Sequence, residues 1–222
     1  MATFETPPTP GSSFPTAGKT LTGTSVNETF TGGSGNDIVN GGGGTDTLVF
    51  TGTRADHTIS LTGTVWTVSS TADGTDSIQN IERLQFSDVS YALDVSGVAG
   101  QAYRLYQAAF NRTPDAPGLG YWISVLDSGQ TLASAAQGFV TSPEFIGLYG
   151  ATPTNVQVVT KFYDNVLHRA PDQGGFNYWV DILDRGLLTV AGVLAEFGES
   201  PENQAAMVGV ISNGFSYNPF GG

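Results

Sequence analysis

The chain has 222 residues, with 20 acidic against 8 basic side chains and a formal net charge of −12. That balance argues against nucleic acid or an anionic membrane surface as partner, and favours cations or neutral surfaces such as glycans. A hydrophobic content of 39%, with 13 Phe, 8 Tyr and 3 Trp, is enough to build a core of one or two domains, and with no cysteine no disulfide supports it.

Residues 1–20 are rich in Pro, Thr, Ser and Gly and read as a mobile lead-in. The start, Met1-Ala2-Thr3-Phe4-Glu5, has neither the basic residues nor the apolar run of a cleavable signal peptide, and no stretch approaches a membrane span. Residues 23–49 then repeat with a period of nine. Two units are complete, Gly32-Gly33-Ser34-Gly35-Asn36-Asp37-Ile38-Val39-Asn40 and Gly41-Gly42-Gly43-Gly44-Thr45-Asp46-Thr47-Leu48-Val49. Both fit G-G-x-G-x-D-x-U-x, where U is a large apolar residue. The preceding unit, Gly23-Thr24-Ser25-Val26-Asn27-Glu28-Thr29-Phe30-Thr31, keeps the first glycine and the apolar position but has Glu for Asp. Glycines admit positive φ, so the backbone turns sharply and brings carbonyls together, and a carboxylate beside them suits a hard cation.

This pattern resembles the RTX (repeats-in-toxin, hemolysin-type) nonapeptide, whose fold is a parallel β-roll that binds Ca²⁺. The resemblance implies half a coil per unit and metal sites between units two apart. Each site takes two carboxylates and several main-chain carbonyls. By that rule Glu28 pairs with Asp46, and the implied ligand set on these turns is Gly23, Ser25, Glu28, Gly32, Ser34, Asp37, Gly42, Gly44 and Asp46. It also implies one-step (type I) export without a cleaved signal peptide, to the bacterial cell surface or the medium.

Residues 58–69 alternate apolar and polar around Gly63, which predicts a hairpin. After it, Gly74-x-Asp76-x-Ile78 repeats the second half of the nonapeptide. The hairpin therefore reads as an insertion, the roll resumes at about residue 71, and Asp76 stacks on Asp37, adding Gly74 and Asp76 to the implied metal ligands. Ile78, Ile81, Leu84 and Phe86 continue the apolar series, Val89–Asp94 reads as a last strand, and Ser96–Gly100 as a boundary.

From residue 101 the period becomes 3.6: Ala102, Leu105, Tyr106, Ala109 and Phe110 recur at helical spacing, as do Val159, Phe162, Tyr163, Val166 and Leu167. These helices open two copies of one repeat, offset by 57 residues: Arg112-x-Pro114-Asp115-x-x-Gly118-x-x-Tyr121-Trp122 and Arg169-x-Pro171-Asp172-x-x-Gly175-x-x-Tyr178-Trp179. Ser142-Pro143-Glu144 and Ser200-Pro201-Glu202 follow at an offset of 58. In each copy the proline is expected to end one helix, the Asp to cap a second, Trp122 or Trp179 to lie on its buried face, Gly129 or Gly186 to close it, Thr131 or Thr189 to start a third, and Ser-Pro-Glu to start a fourth. The motif resembles a tandem helical domain catalogued as domain of unknown function 4214, often found beside RTX repeats in secreted bacterial proteins. A looser similarity links it to helical anchoring domains of surface-layer proteins. Arg112, Asp115, Tyr121, Arg169, Asp172 and Tyr178 are candidates for a glycan or cation. For each Arg the stronger reading is a tie from its loop to the nearby Asp or to the Ser-Pro-Glu helix. The uncharged aromatic tail, residues 213–222, reads as an export signal or a packing strap.

The expected fold class is α+β: a short Ca²⁺-binding parallel β-roll with an inserted hairpin over residues 21–97, then an all-α domain over 98–212 with repeats at about 101–150 and 158–207. His57 and His168 stand apart, and no H-E-x-x-H, G-x-S-x-G or cysteine nucleophile occurs. The expectation is a non-enzymatic, secreted calcium-binding surface or matrix protein that assembles with copies of itself or attaches to cell-surface polysaccharide. Two alternatives are a soluble glycan- or lipopolysaccharide-binding module and an enzyme on polysaccharide.

Overall fold

The computed structural model describes residues 17–221. Most of the lead-in expected over 1–20 lies outside them. The chain divides into two compact units, Met1–Asp88 and Val89–Gly222, so the division falls ahead of the Ser96–Gly100 stretch expected to hold it.

The first unit is built from short strands: β1 (Thr20–Thr22), β2 (Thr29–Thr31), β3 (Ile38–Asn40), β4 (Thr47–Val49), β5 (Thr58–Thr62), β6 (Val65–Ser70), β7 (Gly74–Gln79) and β8 (Arg83–Gln85). β1 to β4 alternate between two sheets, and β5, β6 and β7 all lie in the sheet of β1 and β3. β1, β3 and β7 run parallel in one, with Leu21, Val39 and Ile78 in register. β2, β4 and β8 run parallel in the other, with Phe30, Leu48 and Leu84 in register. This is the β-roll. Each three-residue strand points its middle side chain inward, and Val39, Leu48, Ile78 and Leu84 are at most 1% exposed. The turns between strands are too tight for ordinary residues. Gly42 and Gly44 have φ of +92° and +113°, and a Cβ on Gly42 would overlap the Thr24 carbonyl one coil back.

Thr20–Thr22 is already a strand, so strand pairing in the roll begins ahead of the first nonapeptide at residue 23 and close to the expected boundary at residue 21. The β5–β6 hairpin turns at Gly63, and β6 pairs antiparallel with β7. The insertion thus extends one sheet sideways and leaves the stacking of β3 on β7 intact. Under it, Phe50, His57 and Phe86 pack ring against ring, and His57 Nε2 lies 2.8 Å from Asp73 Oδ2 in a buried pair.

In the second unit β9 (Ser90–Ala92) is followed by eight helices: α1 (Val98–Phe110), α2 (Ala116–Asp127), α3 (Leu132–Val140), α4 (Pro143–Tyr149), α5 (Asn155–Val166), α6 (Gln173–Asp184), α7 (Val190–Gly198) and α8 (Pro201–Ile211). β10 (Phe215–Tyr217) pairs antiparallel with β9. The two four-helix copies pack through matching elements, α3 on α7 and α1 on α5. The caps are set by the repeated letters. Asp115 accepts from Gly118 N–H at 2.9 Å and Asp172 from Gly175 N–H at 2.8 Å. Thr131, Ser142, Thr189 and Ser200 cap the helices that follow them in the same way.

Two expectations are corrected. Pro114 and Pro171 do not themselves end α1 and α5. Those helices stop earlier, where Asn111 (φ +51°) and His168 (φ +50°) take left-handed backbone, and the prolines lie beyond. Trp122 and Trp179 are half-buried rather than core. Each indole packs against a buried phenylalanine, Trp122 stacked on Phe139 with centroids 4.2 Å apart and Trp179 tilted against Phe197 at 5.3 Å. The tail is a strap: Phe215 packs on Tyr103, Tyr91 Oη donates to the Asn213 carbonyl, and Asn218 N–H donates to the Ala116 carbonyl.

Phe139→Ala should therefore be the more damaging change, lowering stability by about 3–5 kcal/mol, with Trp122→Ala below it because part of the indole stays in water. Denaturant unfolding followed by the helical signal checks this order, and a larger loss for Trp122→Ala would contradict the packing described.

Candidate metal centre

The carboxylates of the nonapeptides form two ladders, one on each side of the roll. On one side Lys19 N–H donates to Asp37 Oδ1 at 2.6 Å, and Asp37 N–H donates to Asp76 Oδ1 at 2.8 Å. On the other, Glu28 N–H donates to Asp46 Oδ1 at 2.8 Å, and Asp46 N–H donates to Glu82 Oε2 at 2.8 Å. Asp37, Asp46, Asp76 and Glu82 thus each reach back one full coil to the amide of the residue at their own position.

One oxygen of each aspartate is used in this way. The second oxygens, Asp37 Oδ2 and Asp46 Oδ2, are buried and have no hydrogen-bond partner. They lean over the first glycine of their own unit, so closely that a Cβ on Gly32 or Gly41 would collide with them. Glu28 Oε2 sits over Gly23 in the same way. Asp37, Asp46 and Asp76 are at most 2% exposed. A buried charged oxygen with no partner is costly, and the glycine turn beside it carries main-chain carbonyls that a cation can share. Such a donor set, all oxygen and partly anionic, suits Ca²⁺.

The structure brings together Glu28 with Asp46 and Asp37 with Asp76. Gly23, Ser25, Gly32, Ser34, Gly42 and Gly44 lie on the turns that flank them, and Gly74, at the start of β7, stands against the Gly35 carbonyl. Among the described residues no group of three or more His, Asp or Glu side chains converges, so a cation here relies on carboxylate pairs and carbonyls. Glu28 turns its carboxylate onto its own loop, accepting from Thr24 N–H and Oγ1, and this bonding holds it below its usual range. Burial pushes Asp76 up from its ordinary 3.8 to about 6, with the negative charges of Asp37 and Asp73 adding to the rise.

Two members of the ladders were not anticipated from sequence, Lys19 and Glu82. Both carried a signal. Leu21, Phe30, Val39 and Leu48 are spaced by nine, and Lys19 stands two residues before Leu21 as Asp37 does before Val39. Glu82 likewise stands two residues before Leu84.

In the helical unit, Arg112 makes a two-pronged bond to Glu144 at 2.7 and 2.9 Å and lies over the Tyr106 ring, whose hydroxyl bonds Asp115. Burial pushes that hydroxyl up to about 12. Arg169 repeats the arrangement with Glu202 at 2.8 and 3.0 Å, over Tyr163 and beside Asp172. The four charged candidates are thus engaged in ties between α2 and α4 and between α6 and α8. Tyr121 and Tyr178 remain 40% and 58% exposed, each edge-on to its neighbouring Trp.

Residues 97–149 and 136–207 match the family described as domain of unknown function (DUF4214), which together span half of the chain. The chain belongs to the DUF4214 family. Residues 22–52 match the RTX calcium-binding nonapeptide repeat, so the DUF4214 helices follow a calcium-binding roll, and the cofactor of that roll is Ca²⁺. Repeats of this kind are typical of secreted bacterial proteins. No curated protein matches the chain. Among solved structures, the extracellular lipase LipA from Serratia marcescens is similar over 36% of this chain and 16% of its own, at 16% identity and a TM-score of 0.24. Among the described residues no helix is long and apolar enough to cross a membrane.

The raised Asp76 has a signed consequence. Below its ordinary 3.8 the carboxyl is protonated in folded and unfolded chains alike. As pH rises to about 6 only the folded roll keeps the proton, so the metal-free roll loses stability across this window. Bound Ca²⁺ needs the ionised form and reverses the trend. Circular dichroism in chelator should show more β-structure near pH 4.5 than near pH 7, while the Ca²⁺ midpoint for folding falls as pH rises. The opposite slope in chelator would rule out Asp76 as a raised, buried member of the ladder.

Proposed function

We propose that this is a secreted, non-enzymatic, calcium-binding surface or extracellular-matrix protein, in which the roll folds on Ca²⁺ and the helical unit mediates self-assembly or attachment to the cell surface. The observation that carries the metal half is the pair of buried, partnerless oxygens, Asp37 Oδ2 and Asp46 Oδ2, each held over a glycine turn. Without a cation the carboxylates of each ladder repel and the glycine-rich turns lose much backbone entropy on folding. With Ca²⁺, binding energy is folding energy. Glu28, Asp37, Asp46 and Asp76 supply the charge, and the turns of Gly23, Ser25, Gly32, Ser34, Gly42, Gly44 and Gly74 supply carbonyls.

The assembly half is supported by apolar side chains left in solvent on the helical unit. Val208 and Val210 on α8 are 62% and 58% exposed, and Ile146 and Leu148 on α4 are 43% exposed each. Copies of a chain with net charge −12 repel one another until bound cations lower that charge. A second reading, a glycan- or lipopolysaccharide-binding module, is favoured by the exposed Tyr121–Trp122 and Tyr178–Trp179 ring pairs, which offer flat faces to a sugar ring.

Two outcomes are expected. Asp37→Ala and Asp46→Ala should each raise the Ca²⁺ concentration needed for β-structure and leave the helical signal intact. Light scattering should find monomers in chelator and larger species in millimolar Ca²⁺. Monomers in both, together with retention on immobilised polysaccharide that is lost in Tyr178→Ala, would favour the glycan module instead.

A further inference from the structure

The first rung of one ladder differs from the rest. At five of the positions two residues before an inward apolar side chain stand carboxylates, Glu28, Asp37, Asp46, Asp76 and Glu82, and at the first stands Lys19. The backbone of Lys19 behaves as theirs does. β1 pairs with β3 in the register of the later coils, and Lys19 N–H donates to Asp37 Oδ1 as Asp37 N–H donates to Asp76 Oδ1. Only the side chain is changed, from an anion to a cation. The Lys19 Nζ donates to the carbonyl oxygen of Gly32, the first glycine of the unit that carries Asp37. A Cβ built on Gly33 would lie 3.6 Å from that Nζ. Gly32 is also the residue over which the partnerless Asp37 Oδ2 leans. A positive charge, a turn carbonyl and a buried carboxylate are therefore gathered at one glycine.

We propose that the Lys19 ammonium stands in for a calcium ion at the first rung, so that the roll begins on a cation that belongs to the chain. The inference rests on the calcium reading of the later rungs. An ammonium has one charge and three donors where Ca²⁺ has two charges and accepts six to eight oxygens, so it satisfies the Gly32 carbonyl and brings positive charge to the turn that carries Asp37, without closing a full coordination shell. That is enough for the first coil among the described residues, where the β3 coil presents the neighbouring carboxylate. It follows that β1 docks on β3 at calcium concentrations too low to fill the later sites, and that the chain binds one ion fewer than it would with Asp or Glu at residue 19. Later coils can then add to an edge that is already ordered.

Isothermal titration of the full chain with CaCl₂, for wild type and Lys19→Asp, tests this directly. Lys19→Asp should bind one more Ca²⁺ per chain than wild type. An equal count would overturn the proposal and leave the calcium reading standing, whereas a wild-type chain that binds no Ca²⁺ would remove both. If Lys19→Asp fails to gain β-structure in Ca²⁺, Lys19→Met decides. Because Lys19 is solvent-exposed, losing its charge should raise the Ca²⁺ midpoint for β-structure by roughly two- to fivefold, with the helical signal unchanged as an internal control. An unshifted midpoint would overturn the proposal.

Discussion

The roll as proposed depends on one interaction, the attraction between the ladder carboxylates and a cation beside the glycine turns. Asp37 and Asp46 each spend one oxygen on the amide of the coil before and keep the other buried without a donor. The glycine at position one of each unit is required by that oxygen, since any Cβ would occupy its place. The glycine at position two is required by the neighbouring coil, as the overlap of Gly42 with Thr24 shows. The nonapeptide is thus a set of steric and electrostatic conditions whose common term is the ion. Short strands with few inward side chains, Val39, Leu48, Ile78 and Leu84, bury little apolar surface to set against the entropy cost of such turns.

The helical unit rests on different physics. Its two copies meet through α3 and α7, and within each copy a buried phenylalanine, Phe139 or Phe197, packs against the indole of Trp122 or Trp179. Each copy is laced by an arginine that bonds the Ser-Pro-Glu helix with both prongs and covers a tyrosine ring. Two-pronged Arg–carboxylate pairs fix geometry as well as charge. A chain that joins the two kinds of unit is expected to have one part that answers to calcium and one whose core does not.

Much of this was legible because the repeats are strict. A period of nine with Gly, Asp and an apolar residue at fixed offsets has few physical solutions, and it placed Asp37 over Asp76 across a 39-residue gap once the hairpin was recognised as an insertion. What escaped the reading were positions where the letter changed and the place did not. Lys19 and Glu82 keep the backbone role of the ladder with side chains outside the consensus. The end of α1 escaped for another reason: Asn111 adopts left-handed backbone before Pro114 is reached, a local choice that the more conspicuous proline masks. The tryptophans were placed too deep because helical spacing gives a face but not a depth, and the buried aromatic against each comes from the next helix.

If calcium holds the roll and not the helices, hydrogen–deuterium exchange of the full chain, read peptide by peptide in chelator and in millimolar Ca²⁺, separates the two units. Amides of β3, β4 and β7 should exchange fast in chelator and become protected in Ca²⁺, while α1, α3, α5 and α7 are protected in both. Equal protection of β3 and β4 with and without Ca²⁺ would contradict a calcium-held roll.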